Sequence, residues 1–206
     1  MHNSKPFDSI DGLNGLSGRL MSEHYKLYEG YVKKANEIVE KLQSVEKSSA
    51  NATYSDLRSL KLGYSFSLGA IKSHELYFGH LGGNHAGGQP QDLMGKMISE
   101  NFGSYEAWET DLKQTGIAAR GWVWTAFDWD NKTLFNYLGD QHDGFPLWNA
   151  TPLVALDVYE HAYMIDYGVN RADYLKAFVA NLNWNFIEQR IKQFGIDQAY
   201  SNRVNI

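Results

Sequence analysis

Residues 16–42 read LSGRLMSEHYKLYEGYVKKANEIVEKL, and their apolar spacing is the clearest structural signal in the chain. The apolar and aromatic positions recur at intervals of three, four and seven residues, which places them on one face of a helix. These positions are Leu16, Leu20, Leu27, Tyr31, Ala35, Ile38 and Leu42. The stretch therefore predicts a long amphipathic helix.

A second helical pattern follows a polar loop at residues 44–56. Its stripe comprises Leu60, Tyr64, Ser67, Ile71, His74, Phe78 and Leu81. The pattern stops at residues 81–91, LGGNHAGGQPQ, because four glycines and a proline in this stretch are incompatible with a regular element. The two helices predict an antiparallel hairpin domain over residues 1–84, followed by a second domain over residues 92–206.

The second half of the chain changes to short helices and strands. Helices are predicted at residues 93–102, 105–118, 173–181 and 185–194, and strands at 121–129 (GWVWTAFDW), 133–139 (TLFNYLG) and 151–159 (TPLVALDVY). The predicted fold class is therefore α+β, with an N-terminal antiparallel helical hairpin followed by an α/β domain that contains a small three-stranded antiparallel sheet.

Composition limits the possible functions. The chain has 206 residues, a formal net charge of -5 and no cysteine. A metal must therefore be held by His, Asp or Glu, and an acidic chain is a poor partner for nucleic acid. No apolar run is long enough to cross a membrane, and the first residues lack an apolar leader. We expect a cytoplasmic protein with no nucleic-acid or membrane partner.

Four residues are candidate metal ligands. His24 and His74 fall on the apolar faces of the two predicted helices, and Asp157 ends a buried strand four residues before His161. Each has an ordinary alternative: a hydrogen-bonded core histidine, or an aspartate that caps the next helix. Together they would supply three neutral nitrogens and one anionic oxygen, which suits iron or manganese without excluding zinc.

The other histidines have less specific interpretations. His80 and His85 border the glycine-rich linker and are interpreted as surface or packing residues. His142 follows Gln141 and is interpreted mainly as a residue outside the site. Trp122 and Trp124 are either a dry wall around an ion or ordinary core residues.

The segment DVYEHAYMIDYGVNRADYLKAFVANLNW, residues 157–184, resembles the signature of the iron/manganese superoxide dismutases. The similarity extends over residues 16–184 through GWVWTAF around Trp122, SHELYFGHLGG around His74 and YVKKAN from Tyr31. The resemblance implies the same helical hairpin and α/β domain. It also implies a homodimer, in which Glu160 reaches a ligand histidine of the partner.

By this resemblance the metal ligands are His24, His74, Asp157 and His161. Tyr31 corresponds to the gateway tyrosine, and Gln141 corresponds to the amide that orients a metal-bound solvent. Gln141 stands sixteen residues before Asp157, as in manganese-type members, whereas Ala70 occupies the place where iron-type members carry their amide. The resemblance therefore implies one Mn or Fe ion per chain and favours manganese.

Several positions depart from the family pattern. Tyr28 stands where a second histidine is usual, and Tyr31 follows His24 by seven residues instead of eight. Tyr159 replaces a common tryptophan, and Met164 replaces a tyrosine. These changes leave the ligand set intact and alter the surrounding hydrogen-bond relay, so proton delivery is the step we expect to differ.

Three hypotheses for function follow. The first is a superoxide dismutase, for which a rim of basic residues would attract the anion; the candidates are Lys26, Lys33, Lys72 and Arg171. The second is a homologue with weak or no turnover and a mainly structural metal. The third is a zinc hydrolase that uses Glu160 or Glu75 as its base.

Overall fold

The N-terminal half is a long helical hairpin. In the computed structural model, which describes residues 1–84, 86–144 and 147–203, helix α1 spans Gly18–Ser44 and helix α2 spans Asp56–Gly79. Each is preceded by a serine cap whose side chain accepts a backbone N–H: Ser17 from Leu20 and Ser55 from Arg58. His85 lies outside the described residues.

The buried face of α1 differs from the predicted stripe at several positions, since Tyr28 and Val32 are buried and Leu27 is exposed. It is centred on His24, Tyr28 and Ala35, which are all fully buried. Leu27 lies at the margin of this face and is 41% exposed, so its assignment to the core was wrong. A stripe defined by spacing alone has two margins, and only packing decides which margin is covered.

The sheet lies in the second half of the chain. Helices α3 and α4 span Leu93–Phe102 and Tyr105–Ala118, and strands β1, β2 and β3 span Trp122–Asp128, Thr133–Gly139 and Ala150–Asp157. The strand order is β2-β1-β3, with both pairs antiparallel. The register places Asp157 opposite Trp122, at the end of the edge strand β3.

Short helices complete the chain after β3. A 3₁₀ turn at Glu160–Ala162 is followed by α5 (Met164–Tyr167), α6 (Arg171–Ala180), α7 (Trp184–Gln193) and α8 (Ile196–Ser201). Helices α6 and α7 confirm the two predicted closing helices to within a few residues. Helices α5 and α8 were not predicted, because neither is long enough to show a helical period.

The two halves share one hydrophobic core. Helix α2 packs on β3, and the core joins Phe78 of the hairpin to Trp122, Leu156 and Phe178 of the second half. The predicted fold class is confirmed, and the division between residues 1–84 and 92–206 stays a prediction. Within the described ranges, no helix is both long and apolar enough to cross a membrane.

Candidate metal centre

Four side chains from distant parts of the chain meet beneath the hairpin. They are His24 on α1, His74 on α2, Asp157 at the end of β3 and His161 in the 3₁₀ turn, and one ligand atom from each lies within 4.8 Å of the others. The Nε2 atoms of His24 and His161 are 3.1 and 3.2 Å from Oδ2 of Asp157. Nε2 of His74 is 3.6 Å from the same oxygen. The three imidazoles therefore converge on one carboxylate oxygen.

Burial controls the charges in this cluster. The side chains of His24, His74 and Asp157 are inaccessible to solvent, and that of His161 is 25% exposed. Burial lowers the pKa of His74 to about 3, so this imidazole is neutral at neutral pH. Burial acts to raise the pKa of Asp157, but the charge and hydrogen bond of His161 and those of His24 outweigh it and lower the pKa. The cluster thus combines the ionised carboxylate of Asp157 with the neutral imidazole of His74.

The donor atoms fit a metal ion. Nδ1 of His74 lies 2.7 Å from the carbonyl oxygen of Ala70, which places the proton on Nδ1 and leaves a lone pair on Nε2. That Nε2 is buried and has no hydrogen-bond partner among the described residues. An unpaired buried nitrogen that faces a carboxylate and two further imidazoles is satisfied by a cation at their centre.

Hydrogen bonds to its side chain and its backbone also fix Asp157 in place. Its Oδ1 accepts the N–H of Tyr159 at 2.9 Å, and its carbonyl oxygen accepts the hydroxyl of Tyr174 at 2.6 Å. Oδ2 is left to face the three histidines. The carboxylate is therefore held in one orientation by groups outside the cluster.

A second group of polar side chains lies on the solvent side of the cluster. The hydroxyl of Tyr31 is 2.9 Å from Nε2 of His142, and the indole N–H of Trp122 donates to Nδ1 of His142 at 2.9 Å. Since Nδ1 accepts, the proton of His142 is on Nε2, which donates to the Tyr31 oxygen. Burial lowers the pKa of His142 to about 4 and raises that of Tyr31. Both groups are thus neutral near pH 7.

The structure does not bring Gln141 to this group. Gln141 is exposed at the surface, whereas the next residue, His142, is buried beside Tyr31. Gly69 on α2 makes this placement possible, because a Cβ there would lie 2.2 Å from the carbonyl oxygen of His142. The exposure of Gln141 does not support its expected role, which stays a prediction, and the alternation of exposed and buried positions in this irregular loop gave no periodic signal for His142.

The three other residues that depart from the family pattern differ in their contacts with the cluster. The ring of Tyr159 stacks on that of His161 at 5.3 Å between centroids. Tyr28 is buried, and its hydroxyl donates to Glu75 at 3.1 Å and accepts the N–H of Lys5 at 2.9 Å. Met164 is 41% exposed. Of the three, Tyr159 alone stacks on a residue of the cluster.

An apolar groove opens beside Tyr31. It has a volume of about 810 Å³, and its lining includes Tyr31, Phe66 and Gln141, with Lys26 and Lys34 among the charged residues. Of the predicted basic rim, Lys26 lines this groove. Arg171 does not, because it donates to the carbonyl oxygen of Ala119 at 2.7 Å and so holds the end of α4 in place.

A helical hairpin and an α/β domain that together supply three histidines and one aspartate define a protein with a mononuclear metal site. Residues 90–190 match the family described as iron/manganese superoxide dismutases, C-terminal domain. The chain is 37% identical over 202 residues to a protein named superoxide dismutase [Fe] from Aquifex aeolicus (strain VF5), covering 94% of this chain and 93% of the relative.

Two further relatives agree. A superoxide dismutase [Fe] from Aquifex pyrophilus is 36% identical over 94% of this chain and 93% of its own length. A superoxide dismutase [Mn] 2 from Haloferax volcanii is 36% identical over 58% of this chain and 60% of its own length. The chain belongs to the iron/manganese superoxide dismutase family, which confirms the resemblance drawn from residues 157–184.

Proposed function

We propose that this protein is a superoxide dismutase, which converts two superoxide anions and two protons into dioxygen and hydrogen peroxide. The observation that carries the proposal is the convergence of His24, His74 and His161 on Oδ2 of Asp157. When bound, an iron or manganese ion would take an electron from one superoxide and give an electron to a second. Family membership supports this chemistry over hydrolysis.

The chain's own residues set the conditions for that chemistry. His24, His74, His161 and Asp157 would hold one ion, and a single anionic ligand leaves the site with net positive charge, which favours an approaching anion. The apolar groove beside Tyr31 supplies the route, and Lys26 on its lining adds positive charge. Burial of the cluster excludes bulk water from all ligands except His161.

Proton delivery to the reduced product falls to Tyr31 and His142. His142 donates through Nε2 to the Tyr31 oxygen, so the phenol proton is free to be donated towards the cluster. Trp122 holds His142 in this tautomer. We therefore assign to His142 the positioning of the Tyr31 hydroxyl, since its two ring nitrogens are bonded to Trp122 and Tyr31.

The proposed cofactor is one iron or manganese ion per chain. The argument for manganese rested on Gln141, whose exposure removes that support. The relatives named above carry iron in two cases and manganese in one. Elemental analysis of protein purified without added metal identifies the ion, and zinc as the sole bound metal would contradict the proposal.

An assay of superoxide removal tests the function directly. Protein loaded with iron or manganese is expected to be active, and metal-free protein to be inactive. Full metal occupancy without superoxide removal would favour the alternative of a structural metal. The hydrolase alternative has little support, because Glu75 is paired with Lys5 and Tyr28.

We also propose a homodimer, as the family resemblance implies. His161 is the partly exposed member of the cluster, and the neighbouring Glu160 is exposed. A partner chain that covers this surface would complete the burial of the site. Sedimentation velocity of the wild type should show a dimer, and of Glu160→Ala a larger monomer fraction. A wild-type monomer at micromolar concentration would contradict the proposal.

The proposed location is the cytoplasm, with superoxide as the substrate and no nucleic-acid or membrane partner. The acidic composition supports the partner proposal. Cell fractionation with an antibody to the protein tests the location, and recovery in the periplasm or the membrane fraction would contradict it.

A further inference from the structure

Strand β3 has one free edge. The sheet order places β1 on one side of β3, and no other strand pairs with β3 in the part of the chain that the structure describes. Backbone groups at such an edge need other partners when they are buried. At Asp157 the partner is the Tyr174 hydroxyl, which donates to the carbonyl oxygen at 2.6 Å.

His80 supplies the partner two residues earlier on the same edge. The backbone N–H of Ala155 donates to Nε2 of His80 at 2.9 Å, and this Nε2 also lies 3.1 Å from the carbonyl oxygen of Ala155. Since Nε2 accepts from the amide, the ring proton of His80 is on Nδ1. His80 is fully buried, as is Ala155.

The backbone and the ring of His80 are both held by neighbouring elements. The backbone N–H of His80 donates to Leu76 at 3.1 Å, and its carbonyl accepts the N–H of Asn183 at 2.8 Å. Its ring packs edge-on to Phe178 at 5.7 Å. His80 therefore joins the end of α2 to β3 and to the start of α7.

Its Nδ1 is buried with no hydrogen-bond partner among the residues described. A buried unpaired donor destabilises the folded protein, so an imidazole at position 80 is less favourable for packing alone than an apolar side chain would be. Among the described residues, the His80 side chain makes its polar contact with the backbone of Ala155. The hydrogen bond to Ala155 is therefore the reason for a polar side chain at position 80.

The contact lies close to the metal centre. Helix α2 approaches β3 at two levels, with His74 facing Asp157 and His80 facing Ala155. A shift of β3 along α2 would change the separation of His74 from Asp157. We propose that His80 is a positioning residue for the metal centre: it fixes the free edge of β3 at Ala155 and so sets the distance between Asp157 and His74.

The proposal rests on the proposed function, since it concerns the same metal site, and the first test is metal retention. Iron- or manganese-loaded His80→Phe keeps a planar ring and removes the acceptor. We expect it to lose its ion to excess chelator about tenfold faster than the wild type, as for partners that orient metal ligands. His80→Gln retains an acceptor oxygen and should stay close to the wild-type rate.

A matched control separates positioning from general destabilisation. Ile196→Ala removes a fully buried side chain in α8, a helix that packs on α7. It should lower the unfolding free energy without speeding metal loss in the folded protein. Equal retention in His80→Phe and Ile196→Ala, at conditions where both are folded, would overturn the proposal.

A measurement on the wild-type protein as purified keeps the proposal testable if His80→Phe does not fold. The amide of Ala155 should exchange with deuterium as slowly as the amides of the central strand β1, because His80 accepts its hydrogen bond. Fast exchange at Ala155 would overturn the proposal. Failure of the wild type to bind iron or manganese would refute the proposed function instead, and the exchange result would be unaffected.

Discussion

The two sides of the metal centre are built differently. The inner side consists of His24, His74 and Asp157, which lie on two long helices and a strand. The outer side consists of Tyr31 and His142, and His142 belongs to the loop after β2. Regular elements fix the whole inner side by packing, whereas on the outer side α1 fixes Tyr31 and one loop carries His142. We expect substitutions on the inner side to affect metal binding, and those on the outer side to affect turnover.

The largest expected effect is the loss of the metal. His161→Ala removes one nitrogen from the cluster and leaves the carboxylate of Asp157 without one of its close partners. We expect this variant to fold and to retain less than one tenth of the wild-type iron or manganese, about the loss known for weakened metal sites. Metal content by mass spectrometry measures it, and wild-type content would refute the ligand assignment.

On the outer side, His142→Ala should keep its metal and lose turnover. Removal of the imidazole leaves the Tyr31 hydroxyl without its partner, and we expect about a 100-fold lower rate, typical for loss of a proton-transfer group. The matched control is Gln141→Ala at the neighbouring, exposed position. The assignment would fail if Gln141→Ala lost as much activity as His142→Ala.

A smaller effect is expected where the loop meets the helix. Gly69→Ala would place a Cβ 2.2 Å from the carbonyl oxygen of His142, so the loop must move. We expect about a tenfold lower rate, because a displacement of this size disturbs the geometry of proton transfer. Metal content should be unchanged. Gly18→Ala, also on a helix but with nothing near its Cβ, is the control and should match the wild type in rate.

The smallest expected effect is a gradual loss of folding stability as the pH falls. Burial lowers the pKa of His80 to about 3 from an ordinary value of 6.5. The unfolded chain therefore binds more protons than the folded one below pH 6.5, and stability falls as the pH drops from about 6.5 towards 3. Urea unfolding at pH 7 and pH 5 measures the loss. His80→Gln should lose less stability over this interval, and an equal loss would contradict the argument.

The same contrast explains what the sequence could predict. The positions of His24 and His74 follow from the helical period, and the place of Asp157 follows from the end of an apolar run. Leu27 was misplaced because its neighbours, not its spacing, decide exposure. His142 was missed because the path of an irregular loop depends on long-range contacts such as the approach to Gly69.

The most direct test of the metal centre is a crystal structure with anomalous scattering measured at the iron and manganese edges. One peak per chain is expected, at about 2.1 Å from Nε2 of His24, His74 and His161 and from Oδ2 of Asp157, the usual length for first-row ions. A peak elsewhere, or no peak in protein that removes superoxide, would contradict the account.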